Sequence, residues 1–138
     1  IIRTFNFFGG ENLLITKDHS SEINGSLAKS ASGALESVNI IKVTNLSMAL
    51  KKMRKKGFII IGLDENSHVM LNNSKDYINE KKVLVMGSEG KGLRRLTKEN
   101  CDLLVSIANN NDSDFNTLNV SVSSALALYE FMGRDIKK

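Results

Sequence analysis

The sequence predicts an α/β fold, a mostly parallel sheet with helices on both faces, on three observations. Short apolar runs without polar alternation recur along the chain, segments with helical spacing follow them, and a glycine-rich turn joins one run to the next helix. Strands buried on both faces need no alternation, and a helix between strands is what a parallel crossover requires.

Residues 1–8 read as the tail of a helix, and Asn12–Thr16 (NLLIT) as a strand. Residues 21–37 place Ile23, Leu27, Ala31 and Leu35 at helical spacing, and residues 38–43 form the next strand. Asn45 is positioned to cap a helix whose Leu46, Ala49, Leu50 and Met53 share a face. Lys51, Lys52, Arg54, Lys55 and Lys56 lie outside that face, and Gly57 ends the helix. Residues 58–63 return as a continuous apolar strand. A polar, irregular stretch over 64–82 leads to a strand at 83–86, a short helix at 93–100 and a strand at 103–107. Thr117 or Asn119 starts the last helix. The absence of proline leaves glycine and periodicity as the boundary signals.

With 138 residues the chain is one domain, long enough to bury a core, and it shows no internal repeat. It begins at Ile1 without a methionine and is taken as part of something longer. The longest apolar runs, such as residues 58–61, are far too short to cross a bilayer, so a cytoplasmic protein without membrane attachment is expected. The single Cys101 excludes an internal disulfide, and with only His19 and His68 beside it no zinc cluster or other metal site is expected. Cys101 reads as a small apolar residue packed between a helix and a strand. A net charge of +4 and a pI of 9.2 permit an anionic partner, nucleic acid included.

Gly87, Gly90 and Gly92 follow a strand and precede a helix at the carboxyl end of the sheet, where ligands of such folds bind. Glycines there let backbone approach a ligand and expose amides to it. Their G-x-x-G-x-G spacing is neither the dinucleotide fingerprint nor a phosphate loop. A tight turn with no ligand is the plainer alternative. Glu89 tips the balance, because a charge inside such a turn is costly unless it holds a substrate or a basic side chain.

The last helix puts Val122, Ala125, Leu126, Tyr129 and Met132 on one face, with Ser121, Ser124, Ala127 and Leu128 over much of the rest. A helix apolar or small nearly all round is buried on more than one side, within the chain or against a second subunit. Asn110, Asp112, Asp114 and Asn116 alternate as in a calcium loop but lack its glycine and terminal glutamate, so they read as a solvated loop. The basic run over 51–56 reads as an exposed helix face. Lys91, Arg94 and Arg95, beside the glycine turn, are placed to meet phosphate.

These segments, in order, resemble the SpoU (TrmH-like) branch of the SPOUT RNA methyltransferases. Ile1-Ile2-Arg3-Thr4 with Phe8-Gly9 is similar to the end of the family's first motif, VMGSEGKGL over 85–93 to its second, and TLNVSV over 117–122 to its third. KDHS over 17–20, GALESV over 33–38 and VTNL over 43–46 resemble most the bacterial enzymes that methylate a guanosine ribose in large-subunit ribosomal RNA. The resemblance covers nearly the whole chain.

The resemblance implies a deep carboxyl-terminal trefoil knot, S-adenosyl-L-methionine bound in it, and a homodimer with the active site near the subunit interface. Carried over by position, Gly87, Ile107 and Leu118 contact the cofactor, and Arg3, Glu89, Thr117 and Asn119 form the catalytic set. The family's first strand, the asparagine opening its first motif and any amino-terminal RNA-binding domain lie before Ile1. Residues 1–138 are then a SpoU-type catalytic domain without those parts. Ala108 and Asn109 stand where proline and methionine are usual, the next loop is longer than the pattern, and Thr117 replaces serine. The implied function is S-adenosylmethionine-dependent methylation of a ribose 2′-hydroxyl, with ribosomal RNA ahead of transfer RNA as substrate. A non-catalytic RNA-binding or dimerisation fragment is the alternative from another class. A nicotinamide-dependent oxidoreductase stands third, since the dinucleotide fingerprint is absent.

Overall fold

A computed structural model of the protein describes residues 1–17, 37–73, 80–88, 91–109 and 118–133. The expected helix over 21–37, apart from Ser37, lies outside the described residues, as does the acidic stretch 110–116. The chain opens with α1 (Ile2–Phe7), followed by β1 (Asn12–Thr16) and β2 (Asn39–Val43). Then come α2 (Leu46–Lys55), β3 (Ile59–Leu63), a 3-10 turn (Leu71–Asn73), β4 (Lys82–Val85), α3 (Arg95–Glu99) and β5 (Leu103–Val105). The last helix, α4 (Val120–Leu128), runs on as a π-helical turn over Tyr129–Gly133.

Among the described residues every strand pairing is parallel, and hydrogen bonds tie the strands into two sheets where the sequence predicted one. β1 pairs with β2 from Asn12↔Asn39 to Thr16↔Val43, and a separate sheet has the order β4-β3-β5. Apolar runs report burial and not which ladder a strand joins, so the pattern could not count sheets.

Burial of the three-stranded sheet on both faces follows from the alternation of side chains along a strand. Ile59, Ile61 and Leu63 of β3 point with Leu84, Leu103 and Val105 toward Ala127 and Phe131 at the end of α4. Ile60 points the other way, with Val83, Val85 and Leu104, toward Leu46, Leu50 and Met53 of α2 and toward Leu93. Ile60 and Ile61 are fully buried, each contributing about 1.5–3 kcal/mol of transfer free energy. Gly62, between these layers, has no room for a side chain: a Cβ would stand 2.8 Å from Cys101 Sγ and from Leu93 Cδ1. A second cluster packs Ile2 and Phe5 of α1 on Leu13, Ile15, Val38 and Ile40 of the two-stranded sheet.

The capping signals act where they were read. The Asn45 side chain accepts from Met48 N at 3.2 Å, and Gly57 leaves α2 with φ +92°. In the stretch expected to be irregular over 64–82, the described residues 64–73 are irregular apart from the 3-10 turn, and hydrogen bonds strap them to the end of β5. Ser106 N donates to Val69 O at 2.9 Å and Leu71 N donates to Ser106 O at 2.7 Å, while Ser67 Oγ donates to Leu104 O at 2.6 Å. Backbone ladders of this kind leave no apolar period in the sequence.

Within the chain, one side of the last helix is buried. Ser124, Ala127, Leu128 and Phe131 are buried, and Ser124 Oγ is satisfied by Val120 O at 2.6 Å. Val122, Leu126 and Tyr129, on the other side, are 48%, 41% and 52% exposed in the single chain, which leaves the second subunit as the expected partner for that side. With residues apolar or small nearly all round, periodicity has no polar face from which to take its bearing.

Candidate active site

Parallel strands bring their carboxyl ends to one edge, and there the ends of β3, β4 and β5 meet the amino end of α4 around a cleft of about 600 Å³. That size suits a small molecule. Leu63 and Asp64 leave β3, Met86, Gly87 and Ser88 leave β4, and Val105, Ser106 and Ile107 leave β5. Leu118, Asn119, Val120 and Ser123 close the opposite wall, and Lys91 and Lys98 stand at the basic side.

The glycine turn forms one wall by folding onto itself. Gly92 N donates to Ser88 O at 3.0 Å, Ser88 and Gly92 form an antiparallel bridge, and Gly92 takes φ +68°. A Cβ on Gly87 would come within 2.6 Å of both Gly92 Cα and Leu93 N. The smallness of Gly87 is therefore used by the turn itself, where the sequence suggested approach to a ligand. Leu93 then anchors the turn as a buried side chain.

Asn119 holds the other wall. In an extended conformation at the N-cap of α4, it accepts from Ser121 N through Oδ1 at 2.7 Å, satisfying one of the amides a helix start leaves open. The residues named for the cofactor, Gly87, Ile107 and Leu118, line the same cleft as Asn119. Arg3 does not line it; this residue is exposed on α1. Glu89, Gly90 and Thr117 lie outside the described residues.

Asp64 was missed by sequence reasoning. Its side chain is only 11% exposed, lies 3.4 Å from Lys98 Nζ, and accepts from Asn66 N at 3.1 Å. The rule that singled out Glu89, a charge at the carboxyl end of a buried strand, applies to Asp64 directly after β3 and would have found it. Glu65 and Asn66 extend this acidic and polar corner of the cleft.

The titration shifts lie elsewhere. Burial, reinforced by neighbouring Asp102 and opposed by Arg54, pushes the Cys101 thiol up to about 11, and its Sγ donates to Thr97 O at 3.3 Å. Cys101 packs among Leu50, Ile60 and Leu93, as the structural reading expected. Burial, partly opposed by Glu80, lowers the Lys82 ammonium at the amino end of β4, away from the cleft. These shifts mark packing and not the site.

The arrangement defines an α/β protein with a small-molecule cleft at the carboxyl edge of a parallel sheet, flanked by a basic turn. Residues 1–129 match the model of the SpoU rRNA Methylase family, and the chain belongs to that family. Over 129 residues it is 36% identical to the 23S rRNA (guanosine-2′-O-)-methyltransferase RlmB of Escherichia coli K12, covering 94% of this chain and 51% of that protein. Against the same enzyme of Ralstonia nicotianae the identity is 40%, covering 94% and 50%. The chain thus spans about half the length of the curated relatives it matches.

Among solved structures, the A. aeolicus TrmH/SpoU tRNA modifying enzyme superposes with a TM-score of 0.83 at 27% identity, covering 97% of this chain and 66% of that one. The Streptomyces viridochromogenes SpoU methyltransferase AviRb, solved in complex with AdoMet, has the same fold. Its TM-score is 0.82 at 21% identity, with 97% and 53% covered.

Proposed function

We propose that this chain is the catalytic domain of an RNA methyltransferase that moves a methyl group from S-adenosylmethionine to the ribose 2′-hydroxyl of a guanosine in large-subunit ribosomal RNA. The observation that carries the reading is the meeting of Gly87, Ile107, Leu118 and Asn119 around one cleft. The lining suits the cofactor's chemistry: Leu63, Met86, Ile107 and Leu118 offer apolar surface to a purine, and Asp64 and Glu65 offer negative charge to a cation. When bound, S-adenosylmethionine supplies an electrophilic methyl group.

What remains for the protein is positioning and charge stabilisation, because a ribose hydroxyl is a poor nucleophile at neutral pH. Arg3 is assigned to the developing alkoxide or an adjacent phosphate; a guanidinium carries donors only and has no acceptor for a proton, which makes it a difficult base. Glu89 is assigned to orient Arg3. Thr117 and Asn119 hold the hydroxyl and the loop. Since Asn119 Oδ1 serves the helix cap, its Nδ2 hydrogens are the donors it brings to a substrate.

The exposed stripe of Leu118, Val122, Leu126 and Tyr129 supports a homodimer through α4. Phe8, directly after α1, packs edge-on to Tyr129, with ring centroids 6.3 Å apart, so the end of α1 borders the same surface. In such a dimer Arg3 would serve the partner's cleft, which fits its place outside the cleft of its own chain. A trefoil knot formed by the carboxyl-terminal part, and a strand and RNA-binding domain preceding Ile1, complete the proposal. The relatives are about twice as long as the matched region, which leaves room for further segments.

Ribosomal RNA is preferred over transfer RNA because the ribosomal enzymes are the relatives at 36–40% identity. The test is incubation with labelled S-adenosylmethionine and unmodified ribosomal and transfer RNAs, followed by mapping of the product by mass spectrometry. Label on a guanosine ribose of large-subunit RNA is expected; label on a base, or none, would contradict the proposal.

A further inference from the structure

From Ser37 to Leu63 the sequence has no aspartate or glutamate, while Lys42, Lys51, Lys52, Arg54, Lys55 and Lys56 all fall within it. Five of these cations crowd onto the end of α2. Lys51 and Lys55, and likewise Lys52 and Lys56, are spaced four apart, an arrangement in which like charges destabilise a helix. The helix dipole rewards cations in the last turn but gives no reason for the lack of an acid in the first. An anionic partner would turn this local repulsion into attraction.

The place of α2 identifies that partner. α2 and the residues leading into α3 cover the same face of the β4-β3-β5 sheet, with Leu50 and Leu93 in one buried cluster. Arg54 joins the two helices, donating to the Asn100 carbonyl at the end of α3 and lying 3.0 Å from Asp102. At the other end of α3, exposed Arg94 and Arg95 follow Lys91, which lines the cleft. Cations thus continue from the mouth of the cleft along α3 to the outer face of α2.

We propose that Lys91, Arg94 and Arg95, with Arg54, Lys51 and Lys55 beyond them, form a track for the phosphodiester backbone of the RNA flanking the nucleotide in the cleft. The inference rests on the reading of the cleft as an RNA methyl-transfer site and adds where the substrate strand leaves it. A strand with its reactive ribose in the cleft must carry its neighbouring phosphates across the rim, and among the described residues it is Lys91 and Lys98 that line the cleft with positive charge. Contacts to phosphate fix register and carry no base sequence.

The test is fluorescence anisotropy of the protein with a labelled single-stranded RNA across a potassium chloride series, comparing wild type, Lys51→Gln/Lys55→Gln and the control Lys42→Gln. Lys42 is exposed on β2, in the separate two-stranded sheet, whereas Lys81 packs on Phe58 directly after the basic end of α2 and would not serve. Loss of two phosphate contacts on a single strand should reduce the slope of log affinity against log salt by about 1.4 and weaken binding at 0.1 M salt on the order of 25-fold. Lys42→Gln should move neither as far, and calorimetry with S-adenosylmethionine should be unchanged by any of the substitutions. If the double variant keeps the wild-type slope and affinity while the wild type methylates RNA, the track is overturned and the enzyme reading stands. A wild type that binds RNA through these lysines but methylates none leaves the track standing and overturns the enzyme reading.

Discussion

Gly87 and Gly92 are pressed together so closely that a Cβ on Gly87 would stand 2.6 Å from the Cα of Gly92. Because the obstruction is backbone, no side chain can swing aside to relieve it. Gly87→Ala is expected to destabilise the fold by about 1–3 kcal/mol, the usual range for overpacking. Melting should fall by several degrees, and calorimetry should show weakened S-adenosylmethionine binding because the wall of the cleft is displaced. A variant with unchanged melting and unchanged binding would show that the turn is not held in this closed form.

Asn119 separates stability from chemistry. Its Oδ1 caps α4 through Ser121 N, so Asn119→Ala should cost about 1 kcal/mol, within the range of cap deletions. Asn119→Asp keeps an accepting oxygen at the cap while removing the Nδ2 donors. That variant should melt near wild type yet lose methyl transfer. Retained activity in Asn119→Asp would remove the amide from the proposed catalytic set.

How far this site was legible in the sequence depended on the kind of signal each residue leaves. The strands were found within a residue or two because Ile59, Ile60 and Ile61 are buried on both faces and need no alternation. The ends of α2 were found because Asn45 and Gly57 act locally. Gly87, Ile107 and Leu118 came through the family resemblance, and their meeting at one cleft depends on parallel strands ending at a common edge. Ser106 and its strap to Val69 and Leu71 left no trace, since backbone bonds between polar segments have no composition. The apolar residues of α4 could not assign its two sides, because they do not mark which neighbour buries them.

The position of Arg3 outside its own cleft makes a complementation test decisive. If Arg3 acts across a dimer, mixing Arg3→Ala with a variant disabled in the cleft should rebuild one complete site in each mixed dimer. Random exchange should then restore about a quarter of wild-type activity. Without rescue in dimers shown to exchange subunits, the cross-subunit role fails. Arg3→Lys probes the chemistry separately: near-full activity would rule out a need for the planar guanidinium fork.

The stripe on α4 predicts how such a dimer would be broken. Val122 and Leu126 are one helical turn apart and largely exposed, so Val122→Lys/Leu126→Lys places two charges on the proposed interface without entering the buried face. Sedimentation should show a shift from dimer to monomer, with circular dichroism unchanged. Activity should fall with the dimer. A double variant that still sediments as a dimer would locate the interface elsewhere.

Cys101 supplies a pH test of the core beneath the cleft. Burial and the Asp102 carboxylate push the thiol up to about 11, against an ordinary value near 8.5. Folding thus favours the protonated thiol, and the sign follows: this contribution to stability is whole below the ordinary range and is lost as pH rises through about 11. At pH 8 the native thiol would hold roughly 200-fold less thiolate than a free cysteine. Greater nucleophilicity of the more basic thiolate offsets about tenfold of that, leaving alkylation by iodoacetamide roughly 20-fold slow. The rate should keep climbing beyond pH 10 where a free thiol has levelled off. Alkylation of the native protein at pH 8 as fast as that of a free thiol would show that Cys101 is not packed between α3 and the sheet.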